Sequence, residues 1–189
     1  VSCGIFCSKF CLKCINKCPI AIATLATDKY MRHVSDLSKS ILSVTDRRCK
    51  LHVVYAGSES DLNHNRASPP IHASSSSYIN PFAGIDIKVK SIVKILEELP
   101  VNATLLWTDA SVLLLNNLDL NILSKLENFD ILFIRERKGV DRLNLGVILM
   151  RNNLDVQILF NRTISFVQQG YWDQGIISCL LGSKVGPKA

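Results

Sequence analysis

Short apolar runs rich in β-branched residues alternate with stretches whose apolar residues recur every three or four positions, and few folds accept that alternation. Residues 20–26, IAIATLA, read as a buried parallel strand. Thr27 and Asp28 are residues of N-cap type, and Met31, Val34, Leu37, Ile41 and Val44 follow at helical spacing. Residues 51–56 form the next strand, closed by Gly57. Val89, Ile92, Val93, Leu96 and Leu99 mark one face of a second helix, which Pro100 ends. Residues 103–108 are a strand that stops at Asp109. A short strand at 112–115, a helical segment through Leu126, and strands at 130–134 and 145–150 come next. Val156, Leu159, Phe160, Ile164 and Val167 then mark a helix, and a last one runs from near Asp173 to Leu181. The expectation is an α/β fold, a mainly parallel central sheet with helices on both faces.

With 189 residues, 48% of them hydrophobic, the chain suits one domain with a real core. Two stretches break the rhythm. Residues 57–84 hold Pro69-Pro70, four successive serines, Pro81 and Gly84, and read as a long flexible loop, either a lid or simple disorder. Residues 1–18 hold Cys3, Cys7, Cys11, Cys14 and Cys18, with Lys9, Lys13 and Lys17 between them. A zinc site lacks the paired C-x2-C spacing that would support it. A basic, acylatable membrane-surface segment is a second reading, and a poorly structured or non-native leader is the favoured one. The domain proper is expected over 19–189.

Cys49 and Cys179 are the remaining cysteines, which reads as a reducing, cytoplasmic setting for the body of the protein. A membrane surface reached through the leader, or a secretory lumen, are the alternatives. No run of about 18 apolar residues is present to span a bilayer as a helix. Lysine and arginine exceed aspartate and glutamate by 22 − 16 = 6, which favours an anionic partner. Aromatic residues do not interleave with the basic ones, so nucleic acid is the less favoured anion. Asn102-Ala-Thr104 and Asn161-Arg-Thr163 match the glycosylation sequon, but lie in or beside expected core elements and read as chance.

In a parallel sheet covered on both faces, ligands bind at the carboxyl ends of the strands. Those ends supply Thr27, Asp28, Gly57, Asp109, Arg135, Glu136 and Arg137. Asp109 is the most informative, because apolar runs flank it and a buried carboxylate needs a partner. Its bland alternative is a turn cap. Ser111 would point to the same side if the backbone stayed extended.

Four segments carry a resemblance. Residues 23–30 (ATLATDKY), 106–118 (LWTDASVLLLNNL), 143–147 (LNLGV) and 172–175 (WDQG) resemble, in order, motifs of glycogenin-like glycosyltransferases. They span roughly residues 19 to 182. The small glycosyltransferases of plants and large algal viruses are about as similar. The resemblance implies a single Rossmann-like GT-A domain of the nucleotide-diphospho-sugar transferase superfamily. It further implies transfer of a sugar from a nucleotide donor, a UDP-sugar, to a hydroxyl on a glycan or protein. Leu25, Thr27 and Tyr30 would hold the nucleobase, with Tyr30 stacking on it, and Asp28 would cap the helix or touch base or ribose. Asp109, with Ala110 and Ser111, would meet the ribose and a divalent cation, Mn2+ or Mg2+. Lys90 would bind the diphosphate, with Lys88 and Lys94 as rivals. Asp173 would act as base or position the acceptor, aided by Gln174 and Asn144. Gly146 and Trp172 would lie on the acceptor side.

Two departures stand out. Ser111 occupies the place of the second carboxylate of D-x-D, and no histidine follows His72. A non-catalytic nucleotide- or sugar-binding domain is therefore the alternative. A nucleotidyltransferase is disfavoured, because no Gly-rich basic loop follows the first strand.

Overall fold

The computed structural model describes residues 20–45, 49, 51–56, 72–75, 84–115, 125–135 and 143–182. The leader, most of 57–83, Glu136, Arg137 and Asp141 lie outside the described residues. In chain order the elements are β1 (Ile20–Ala26), α1 (Met31–Val44), β2 (Leu51–Tyr55), β3 (His72–Ser75), α2 (Gly84–Glu98), β4 (Thr104–Thr108), β5 (Ile131–Arg135), β6 (Leu143–Arg151), α3 (Leu154–Val167) and α4 (Asp173–Leu180). They build one sheet of order β3-β2-β1-β4-β6-β5. β3, β2, β1 and β4 are parallel, whereas β6 pairs antiparallel with both β4 and β5.

The period-two alternation of the strands divides their side chains between two cores. Ile20, Ile22, Ala26 and Leu106 pack against Val34, Leu37 and Ile41 of α1. Ala23, Leu105 and Trp107 face the opposite layer, made by Val89, Ile92 and Leu96 of α2, Phe160 of α3 and Ile177 of α4. Helices thus cover both faces, as the alternation predicts. α3 starts at Asn153, whose side chain accepts the Val156 N–H at 2.9 Å, a standard N-cap. At the edge where β4 begins, the buried Asn152 donates to the Leu99 carbonyl at 2.8 Å and holds the turn in which Asn102 has φ 65°.

Several local expectations change. A 3-10 turn at Asp28–Tyr30 precedes α1, and Tyr30 rather than Thr27 or Asp28 occupies its N-cap position, without a side-chain cap. Residues 112–115 form no strand: the Val112 N–H turns back to the Asp109 carbonyl at 3.0 Å, which ends the extended backbone. Within the expected loop, His72–Ser75 forms a strand that pairs parallel with β2. Hydrophobic patterning did not mark it, because His-Ala-Ser-Ser has almost no apolar signal. The helical segment expected before Leu126 falls largely outside the described residues. Cys49 is disulfide-bonded, and Cys179 is a free, exposed thiol.

Candidate active site

β1 and β4 are neighbours, yet the chain leaves β1 toward β2 and β3 before returning to β4 on the other side. Connections on the two sides diverge there, so a crevice opens at the carboxyl ends of β1 and β4. β6 runs antiparallel to β4, and its first residues therefore reach that same end, with Val147 opposite Thr108.

A break in β6 shapes the crevice. Its pairing with β5 jumps from Phe133 opposite Ile148 to Ile134 opposite Asn144, leaving Leu145, Gly146 and Val147 without partners on β5. Such bulges re-aim side chains beside functional sites. Here the Asn144 side chain folds back to accept the Gly146 N–H at 2.7 Å, and the Gly146 carbonyl accepts the Asp109 N–H at 2.7 Å. A glycine here lets both side chains approach the backbone closely. A Cβ at position 146 would lie 2.7 Å from Asn144 Oδ1 and 3.0 Å from Asp109 Oδ2.

Asp109 follows the fully buried residues Leu105–Thr108 but is itself half-exposed, with 48% of its side chain open to solvent. The expected burial is therefore corrected; the expected partner is present. Lys88 Nζ donates to Asp109 Oδ1 at 2.8 Å, and the lysine side chain is only 16% exposed. Lys90 instead pairs with Asp86 one helical turn earlier, at 2.6 Å, and Lys94 is exposed. Sequence reading had ranked Lys90 first. The signal for Lys88 was available in its spacing, since Ile92 and Ile95 share its helix face and both are buried.

Asp173, 6% exposed, opens α4, and its Oδ1 accepts the Gln174 N–H at 2.7 Å. Burial pushes its carboxyl above the ordinary value. The Gln174 amide and the Lys88 charge pull it back down in part, and the Asp109 charge adds to the rise. Those influences place Lys88, Asp109 and Asp173 in one electrostatic cluster. Gln174 Nε2 is buried and has no partner among the described residues, so it remains a donor for a ligand or water.

Around this cluster, Leu25 and Thr27 are half-buried at the end of β1, and Tyr30 is 42% exposed beside His33 at a ring separation of 5.9 Å. Lys29 Nζ lies 5.8 Å from the Tyr30 ring centre. The side chain of Asp28 is outside the described set. Ala110 is buried, Ser111 exposed and Trp172 half-buried at the N-cap of α4. The turn after Asp109 removes the condition under which Ser111 would share its face.

The described residues at this site do not by themselves fit a resident divalent cation. Mn2+ or Mg2+ calls for several oxygen ligands. Asp109 offers one carboxylate, and its Oδ1 already holds an ammonium group; Ser111 lies beyond the turn. Among the described residues, no cluster of three or more His, Cys, Asp or Glu side chains could hold a metal.

The sheet order, the switch between β1 and β4, and the bulged antiparallel β6 give the GT-A fold. Solved structures agree. The galactosyltransferase LgtC, crystallised with donor and acceptor sugar analogues, is 22% identical with TM-score 0.59, over 85% of this chain and 70% of that one. The glycosyltransferase GlyE of Streptococcus pneumoniae TIGR4 is 14% identical with TM-score 0.59, over 88% of this chain and 44% of GlyE. A glycosyltransferase involved in glycosylation of the major capsid of PBCV-1 is 16% identical with TM-score 0.54, over 89% and 79%. No family profile and no curated protein matches the chain. Among the described residues no helix is long and apolar enough to cross a membrane.

Proposed function

We propose that this chain transfers a sugar from a nucleoside-diphosphate donor, a UDP-sugar, to a hydroxyl group of a glycan or protein acceptor. The observation that carries the reading is Lys88 Nζ held 2.8 Å from Asp109 Oδ1 beside Gly146 at the carboxyl end of β4 in a GT-A fold, with the charges of both acting on the buried Asp173. Transfer breaks the bond between the anomeric carbon and the diphosphate oxygen and forms one to the acceptor oxygen. The acceptor proton must leave at the same time, and the departing diphosphate must have its charge stabilised.

The half-exposed Asp109 is open to accept hydrogen bonds from the donor ribose, while Lys88 donates to diphosphate oxygens. Thr27 and Tyr30 bound the nucleobase end of the crevice. Asp173 takes the acceptor proton or orients the hydroxyl: burial makes its ionised form a stronger base than an exposed aspartate. Gln174 Nε2 and Asn144 offer hydrogen bonds to sugar hydroxyls. A binding domain without turnover is the second reading, favoured by the single carboxylate where two would hold a metal.

The test is a nucleotide-sugar screen by thermal shift, followed by assays of hydrolysis and transfer. Asp109→Ala is expected to abolish donor stabilisation and transfer together. Asp173→Ala should leave donor stabilisation intact and lower transfer by about 100-fold or more, the usual range for a general base. Donor binding with no turnover on any acceptor would select the binding domain. Unchanged activity in either variant would remove that residue from the site.

A further inference from the structure

We propose that Lys88 supplies the positive charge for the donor's diphosphate, so that donor binding needs no divalent cation. The inference rests on the donor reading above and goes beyond it. Its basis is the geometry of the Lys88–Asp109 pair. The ammonium group holds Asp109 Oδ1 at 2.8 Å, leaving this carboxylate only Oδ2 to offer a cation free of competition. Only 16% of the Lys88 side chain meets solvent, so its charge is weakly screened and acts strongly on an approaching anion. Lysine has three N–H donors and Asp109 takes one, leaving two for phosphate oxygens.

The rest of the cluster is compatible with this role. Asp109 keeps the ammonium in place across the mouth of the crevice. Lys90 pairs with Asp86 one helical turn earlier, at 2.6 Å, rather than with Asp109. Ser111 replaces the carboxylate that would favour a cation over the lysine.

Calorimetric titration of the full chain with UDP and a UDP-sugar, once in EDTA and once in Mn2+, tests this directly in the unmutated protein. The expected result is affinity that agrees within about threefold between the two conditions. Titration with Mn2+ alone, read by its electron-spin signal, should show no protein-bound ion. Lys88→Met should weaken nucleotide binding in EDTA by about tenfold or more, and Lys88→Arg should restore part of it. A tenfold or greater loss of wild-type affinity in EDTA would overturn the inference while leaving the donor reading intact. A Lys88→Met protein that is folded by circular dichroism and binds as tightly as wild type would overturn it equally. Absence of nucleotide binding in both conditions would overturn the donor reading, and this inference with it.

Discussion

Asp173 combines burial with a site position, and the two have opposite consequences for stability and for chemistry. Its free-chain pKa lies near 3.8 and its folded value is higher. Between those values the folded chain binds more protons than the unfolded one, so stability falls as pH rises through the window. Below pH 3.8 both states are protonated and the penalty vanishes. Asp173→Asn keeps an oxygen for the Gln174 N–H and removes the buried charge. We expect that variant to melt a few degrees above wild type at neutral pH, with the difference disappearing in acid. Thermal melts across a pH series check this; a constant difference at every pH would show that ionisation of Asp173 is not its source. Transfer activity moves the other way, falling as acid protonates the base. The sequence marked Asp109 by its place between apolar runs at a strand end, and Asp173 through the resemblance of residues 172–175. The resemblance put Lys90 before Lys88, although the helical spacing of Lys88 with Ile92 and Ile95 already marked the face that turns inward.

The bulge of β6 is where local sequence and tertiary position meet. Leu143-Asn-Leu-Gly-Val147 reads as a strand, and a glycine inside a strand signals a close backbone approach. The antiparallel direction of β6, and the loss of three pairings to β5, are not readable from alternation alone, because both directions produce the same pattern. The approach itself is measurable at position 146. Gly146→Ala would press a methyl group onto Asn144 Oδ1 and Asp109 Oδ2. The Asn144 side chain has room to yield only by giving up the Gly146 N–H, at a cost of about 1 kcal/mol. We expect a folded protein with transfer lowered about tenfold or more, because Asp109 is displaced from Lys88. Unchanged steady-state transfer by Gly146→Ala would separate the bulge from the site. A comparable lesson comes from His72–Ser75, a strand made by pairing with β2 rather than by its own composition.

Both cores share the same sheet, so the layers should stand or fall together. Leu37 of α1 and Phe160 of α3 are fully buried on opposite faces. Leu37→Ala is expected to cost about 2–5 kcal/mol and Phe160→Ala about 3–5 kcal/mol, from lost burial plus the cavity left behind. Each should lower the midpoint of one cooperative transition in denaturant. Two resolved transitions in either variant would mean that the faces unfold independently.

Hydrophobic periodicity alone determined the alternating elements, the two-sided burial and the strand-end position of Asp109, because burial imposes a period that the chain must carry in its own order of residues. Only tertiary structure decided that β6 runs backwards beside β4, that a short polar segment joins the sheet, and that Lys88 closes on Asp109. Those outcomes depend on which neighbours a segment meets across space, and residues 21 positions apart in the chain have no local pattern that records a 2.8 Å contact.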